Sequence, residues 1–292
     1  MFIYAIQCHK LTNPLIFTIN YLLKDPNNII IIHVDAKTNH TDFLNIKNIF
    51  QKNDQLIFIE DRVEVFWGSF SQIEATLKLM RKAISYKFKY FSLISGDDIP
   101  ILKTSEMNKF LSESYEKKIE FIGINTNNDA PNRIQFKYPK YFHNKDHSLK
   151  AKILRKIFIK YANIFNKIDI SELPSLYKGS SWFTISYEAI DYIFNYLEKN
   201  KQYKKKFLHS LCADEVFFQT ILFNSNFKNK TYGLGILKDC DMAMRYIDWE
   251  KGPDFPRSLD KSDFTSIKTS GMLFARKISS NISLKELEEN FI

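Results

Sequence analysis

The stretch Tyr90-Phe91-Ser92-Leu93-Ile94-Ser95-Gly96-Asp97-Asp98-Ile99-Pro100 decides the fold class. Its first five residues are apolar or aromatic enough to be a buried strand. The next six switch abruptly to a hydroxyl, a glycine, two acids, an isoleucine and a proline. A strand buried on both faces that empties into a polar loop is the signature of a parallel sheet, whose ligands sit beyond the carboxyl ends of the strands. Working outward, the same grammar recurs. Phe2 to Gln7 reads as a first strand, with a helix over Leu11 to Leu23. Ile29 to Val34 is a second strand before a helix over Asp42 to Gln51, and Leu56 to Ile59 is a third. Apolar Ile73, Leu77, Met80 and Ile84 fall at helical spacing within Ser69 to Tyr86. Ile119 to Ile122 reads as a fifth strand. Strands alternating with helices imply βαβ crossovers and an α/β, mainly parallel sheet.

The second half is less regular. It offers a basic helix over Lys150 to Phe165, a strand over Trp182 to Ser186 with a helix following to Glu198, and a helix over Asp214 to Phe223. A strand over Met272 to Ala275 and a helix over Leu284 to Asn290 complete it. With no repeat and no Pro/Gly-rich linker, residues 1–292 read as one domain.

Composition narrows the classes. Of 292 residues, 45% are hydrophobic and 15% aromatic, which excludes a disordered chain. No window approaches a membrane span, and the first residues read as a strand rather than a signal peptide. Three scattered cysteines, Cys8, Cys212 and Cys240, suggest neither a disulfide framework nor a zinc site and fit a reducing cytoplasm. The net charge of +9 invites polyanions, but no nucleic-acid motif accompanies it. The basic, apolar helix at 150–165 reads instead as a peripheral contact with the inner face of a membrane. Only eight residues are glycine, so each one present points to a local backbone need.

Several segments could carry chemistry. Asp35 ends the second strand, where a carboxylate either binds a nucleotide or caps a turn. Ser95, Gly96, Asp97 and Asp98 form a loop that is either a divalent-metal site or a capped turn. Trp67-Gly68-Ser69 begins a helix whose N-terminus could face an anion. Ser180, Ser181 and Trp182 combine hydroxyls with a flat aromatic face suited to a sugar, or place the tryptophan in the core. Asp214 and Glu215 either complement a helix dipole or supply a general base. Arg257, Arg276 and Lys277 are either surface charge or a phosphate site. Asp239-Cys240-Asp241 is the one Asp-x-Asp triplet, a pattern resembling a manganese motif.

In order and spacing these segments resemble glycosyltransferase family 14, the core 2/I-branching β-1,6-N-acetylglucosaminyltransferases and protein xylosyltransferases. The matching segments are Cys8-His9-Lys10, His33-Val34-Asp35, Val65 to Ser69, Leu93 to Ile101, Gly179 to Phe183, Asp214 to Thr220, Arg245 to Trp249 and Phe274 to Lys277. The resemblance implies a GT-A fold. It also implies inverting transfer from a UDP-sugar to a glycan or lipid-linked glycan, with neither a metal nor another cofactor. By that analogy Glu215 is the base. Arg276, Lys277 and Arg257 neutralise the leaving diphosphate, and Asp35 holds uridine. His9, Trp67, Gly68 and the Ser95–Pro100 loop shape the donor pocket, while Ser180, Ser181, Trp182 and Asp214 face sugar or acceptor. Residues 1–125 would bind the nucleotide, and residues 126–292 the acceptor. The short chain resembles a bacterial member without Golgi anchor or stem, acting in surface polysaccharide synthesis. Ser181 stands where the xylosyltransferases tend to place an acid, a departure that bears on donor and acceptor identity; N-acetylglucosamine is preferred over xylose as the donor sugar. A non-catalytic polyanion- or nucleotide-binding protein is the reading from a different class.

Overall fold

A computed structural model describes residues 1–292 except 51–52, 126–128, 144–147 and 251–255, together with the side chains of residues 163 and 165. Its centre is a five-stranded sheet. The strands, in chain order, are β1 Phe2–Cys8, β2 Asn28–Val34, β3 Leu56–Phe58, β4 Tyr90–Ser95, β5 Ile99–Pro100, β6 Thr184–Ser186, β7 Arg245–Ile247 and β8 Phe274–Arg276. The main sheet runs β3-β2-β1-β4-β6, and a smaller one runs β5-β8-β7. Pairings within β3-β2-β1-β4 are parallel, and β6 joins β4 antiparallel. This is the α/β, mainly parallel architecture that the alternating strands and helices of the sequence lead one to expect.

Alternation along the strands builds two layers. Ile3, Ala5, Phe91 and Leu93 point into a core shared with the helices Phe70–Ala83, Tyr187–Lys199 and Phe217–Phe223. Tyr4, Ile6, Tyr90 and Ile94 point the other way, onto the helices Asn13–Leu22, His40–Ile49 and Thr104–Glu116. Ile3, Tyr4, Ala5 and Ile6 are all fully buried, so β1 is covered on both faces. The first helix starts where Thr12 accepts the Leu15 N–H and Pro14 occupies a first-turn position that needs no donor.

The structure corrects four expectations. Ile119 to Ile122 is not a strand: Glu120 and Phe121 make only isolated bridges, to Thr231 and Thr184. Here β6 has taken the place beside β4, and the buried Glu120 carboxylate accepts the Ser186 N–H at 2.8 Å and also its hydroxyl. The C-terminal strand lies further on than the apolar run suggests, so Arg276 belongs to β8 itself. The helix Thr104–Glu116 was not foreseen, because its buried face is partly polar (Thr104, Asn108 and Ser114 beside Met107 and Leu111). The helix after β2 begins at His40 and ends at Ile49; Gln51 lies outside the described residues.

A buried cation joins the two sheets. The Arg245 guanidinium in β7 donates to the carbonyls of Ala243, Leu93 and Phe183 and to the Thr184 hydroxyl. It also lies 4.6 Å from the Phe274 ring centroid in β8. The small sheet is thereby held against the carboxyl end of β4, where ligands of such folds bind.

Candidate active site

The carboxyl ends of β1 and β2 open into a cleft of about 640 Å³, lined among others by His9, His33, Asp35, Trp67, His143 and Trp182. Asp35 is a splint as well as a lining group. Its Oδ1 accepts the N–H groups of Lys37 at 2.9 Å and Val65 at 3.1 Å, drawing the segment after β3 against the end of β2. His33 does the same one turn away, its Nε2 accepting the Val63 N–H at 2.9 Å. Burial lowers the His33 pKa to about 4, so the ring is a neutral acceptor. His9 stands exposed at the end of β1.

The Trp67–Ser69 turn leads into the helix Phe70–Ala83, with Ser69 as its N-cap. Gly68 has φ +64° and its carbonyl accepts the Cys212 N–H at 2.6 Å, which ties this turn to the one carrying Asp214 and Glu215.

The acid pair does not open a continuous helix. Cys212 is left-handed at φ 50°, Ala213–Glu215 is a single 3-10 turn, and Val216 at φ −123° breaks the chain before the helix Phe217–Phe223. The break gives the two carboxyls separate tasks. Asp214 Oδ2 accepts the Ser181 hydroxyl at 2.7 Å, and burial raises the Asp214 pKa. Glu215 keeps its side chain 27% exposed, with Oε2 at 3.8 Å from both the Arg133 Nη2 and the Lys178 Nζ. Asp129 completes the ring, 3.2 Å from Arg133 and 2.8 Å from Lys178. Desolvation first, then the neighbouring Asp214, lift the Glu215 pKa to about 7 against the pull of the two cations. The result is a carboxyl whose pKa lies near neutrality.

Ser180 spends its hydroxyl inside the turn, on the Trp182 backbone, and its carbonyl accepts the Gln219 amide at 2.6 Å. Trp182 is neither pure core nor bare platform: one side lines the cleft, and the Arg276 guanidinium lies 4.4 Å from its ring centroid. The Ser95–Pro100 loop is organised by cations. Asp98, fully buried, takes Arg276 Nε at 3.0 Å and the Ser95 hydroxyl on the same oxygen. Asp97 lies 3.8 Å from the Lys277 Nζ. Gly96 sits so close to β1 that a Cβ there would lie 2.9 Å from that of Cys8. Arg276 and Lys277 thus belong to this loop, and the Arg276 Nη groups make no hydrogen bond among the described residues.

Arg257 is not with them. Its fork is taken by Asp248 at 2.9 Å and by Asp263, which leaves it a brace for the C-terminal segment. Asp239 and Asp241 lie in the first turn of a short helix, Asp239–Met242, where Asp239 accepts the Cys240 N–H at 3.0 Å. Among the described residues, no three His, Cys, Asp or Glu side chains converge as metal ligands would. The sequence reading missed Asp129 and Arg133, because no motif surrounds them. Lys178 was missed as well; the next residue, Gly179, donates its N–H to the Glu215 carbonyl at 2.9 Å.

The mainly parallel sheet places a cleft beyond the carboxyl ends of its strands, with Glu215, held between Arg133 and Lys178, on the turn tied to it. The chain belongs to the Core-2/I-Branching enzyme family, whose model matches residues 2–272. The cation pair Arg276–Lys277 lies just past the matched segment. A Caenorhabditis elegans relative, xylosyltransferase sqv-6, is 24% identical over 210 residues, 69% of this chain but 24% of that protein, so the chain spans about a quarter of the relative's length. Mouse xyloside xylosyltransferase 1 in its apo form is similar at a TM-score of 0.38 with 10% identity, over 94% of this chain and 97% of the mouse chain. S. aureus TarS 1–349 is similar at a TM-score of 0.28 with 10% identity, over 82% and 77%. Among the described residues no helix is long and apolar enough to cross a membrane.

Proposed function

We propose that this protein is an inverting, metal-independent glycosyltransferase that moves a sugar from a UDP-sugar to a hydroxyl of a glycan acceptor. The observation that carries the reading is Glu215, a partly exposed carboxyl held between Arg133 and Lys178 on a turn clasped to the cleft by Gly68. In this mechanism the acceptor hydroxyl gives its proton to Glu215 as its oxygen attacks the anomeric carbon. The bond from that carbon to the β-phosphate oxygen breaks on the opposite face, and UDP leaves with the electron pair. Asp35 and the Trp67–Gly68 turn hold the nucleotide. Arg276 and Lys277 stabilise the charge growing on the diphosphate. Their existing attachment to Asp98 and Asp97 keeps them in place before the donor arrives, so little reorganisation is needed. Ser181, fixed by Asp214, and Trp182 meet the transferred sugar. N-acetylglucosamine is the preferred donor sugar, ahead of xylose, and the acceptor is placed in surface polysaccharide synthesis; both refinements rest on the motif resemblance.

A thermal-shift panel of nucleotides and UDP-sugars tests the reading. UDP is expected to stabilise the protein where GDP and CDP do not, and the UDP-sugar giving the largest shift identifies the donor. Equal shifts from all three nucleotides, or none from any, would overturn it. Two further outcomes are expected. Transfer measured after EDTA treatment should stay within about twofold of the untreated rate, because fixed cations do a metal's work at the diphosphate; strict dependence on added manganese would exclude this. The pH profile should have one acid limb. Glu215 works ionised, and its pKa is raised to about 7. The kcat/KM therefore rises with pH, falling about tenfold per unit below that value and levelling above it. A flat profile from pH 5 to 8 would contradict the assignment.

A further inference from the structure

One surface of the molecule takes no part in the proposed transfer. The helix Leu149–Phe165 runs 17 residues without a single acid. Its attachment is narrow: Ala151, Phe158 and Ala162 are buried, and Phe158 and Ala162 pack in a small cluster with Phe142, flanked by Tyr138, Tyr141 and Leu211. Most of its other described side chains are exposed, and much of that exposed surface is apolar. Leu149 is 75% exposed, Ile153 49%, Ile157 51% and Ile164 68%. At 100° per residue these four fall within one arc of about 80°, well away from the buried face. Exposed Lys152 and Lys156 run one turn apart along its flank, and Lys160 falls within the arc itself, between Ile157 and Ile164 along the helix. Four exposed branched aliphatic side chains gathered on one side of a helix, with lysines beside and among them, mark a binding surface.

The chemistry of the stripe selects its partner. Branched aliphatic side chains with lysines on flexible stems beside and among them match the boundary layer of an anionic bilayer, where the apolar groups enter the acyl region and the ammonium groups reach lipid phosphates. We infer that the helix Leu149–Phe165 is a peripheral docking element for an anionic lipid surface. Its position gives the docking a purpose. The helix rests on Phe142, and the next residue, His143, has Nδ1 3.3 Å from the Trp67 carbonyl at the cleft. Tyr138, in the same cluster, donates its N–H to the His209 carbonyl, and Leu211 donates its own to the Arg133 carbonyl. A docked helix therefore holds the acceptor side of the cleft near the membrane, where a lipid-linked hydroxyl would be presented.

Flotation of the full chain with vesicles tests the inference without any sugar donor, so its outcome is separate from that of the transfer reading. The protein is expected to float with vesicles of equal parts phosphatidylglycerol and phosphatidylcholine, and to stay behind with pure phosphatidylcholine. The triple variant Lys152→Gln, Lys156→Gln, Lys160→Gln should weaken partitioning about hundredfold. The triple variant Ile153→Ser, Ile157→Ser, Ile164→Ser should abolish it while leaving the thermal midpoint unchanged, since none of these side chains is buried. A wild-type protein that stays behind with the anionic vesicles overturns the inference. So does a lysine variant that floats like wild type. Sedimentation equilibrium showing a dimer dissolved by the isoleucine variant, with no vesicle binding, would assign the stripe to a second copy of the chain and overturn it equally.

Discussion

Glu215→Gln is expected to reduce sugar transfer by about 10²- to 10⁴-fold, the range a positioned general base supplies, while UDP affinity stays within about twofold. The substitution keeps the shape of the side chain and removes only its capacity to take a proton. Nothing else in the turn depends on that charge. The Glu215 backbone N–H and carbonyl are held by Cys212 and Gly179, and Arg133 and Lys178 each retain Asp129. Single-turnover transfer from a labelled UDP-sugar gives the rate, and titration calorimetry with UDP gives the affinity. A variant with more than a tenth of the wild-type rate would remove Glu215 from the mechanism. Asp214 offers the contrast: its carboxylate is buried and already engaged by Ser181, so Asp214→Asn should raise KM for the donor more than it lowers kcat.

The second large effect is expected from a methyl group. Gly179 lies against Gly123 so closely that an ideal Cβ would stand 1.8 Å from the Gly123 carbonyl oxygen, and the obstacle is backbone rather than a flexible side chain. Gly179→Ala must therefore push two segments apart. The stability cost is about 3 kcal/mol, the upper part of the range for overpacking, which lowers Tm by roughly 6 °C or more. The same displacement moves Glu215, whose carbonyl accepts the Gly179 N–H. A shift of about 1 Å in a catalytic group costs on the order of hundredfold in rate. Gly271→Ala is the control: it has φ +71° and nothing within 4 Å of its Cβ position, so it should show a small loss of stability and normal turnover. A thermal loss in Gly179→Ala no larger than that in Gly271→Ala would mean that the close approach to Gly123 does not set the cost.

The strands of the first half were legible because each is an unbroken apolar run, and burial on both faces leaves such a run no other use. Ile119 to Ile122 has the same appearance but a different fate, since whether a short apolar run joins a sheet depends on what else claims the edge. Here a segment more than sixty residues later does, with the Glu120 carboxylate capping it. The helix Thr104–Glu116 was hidden for the opposite reason: Asn108 is buried by hydrogen-bonding Tyr4, Asp25 and Asn28, a network no periodicity reveals. At the site, residues following strands were legible from position, and Asp35, Trp182 and Arg276 do meet at or beside the cleft. What sequence could not assign was pairing. Asp97 and Asp98 look like metal ligands until Lys277 and Arg276 arrive from the far end of the chain. Arg257 looks like a phosphate ligand until Asp248 and Asp263 take its fork. Asp129 and Arg133 acquire meaning only through Glu215, some eighty residues away.

The placement of β8 between β5 and β7 has a bearing on biosynthesis. Domains condense from the amino end as the chain leaves the ribosome, and β1 to β4 can pair as soon as they emerge. The loop after β4 is then left with the buried Asp98 lacking its guanidinium until residues 274–277 are made. The Ser95–Pro100 loop therefore gains its Arg276 and Lys277 partners only after the main sheet's strands have been made. A nascent chain stalled shortly before Phe274 would hold the five strands of the main sheet and leave Asp97 and Asp98 without those two cations.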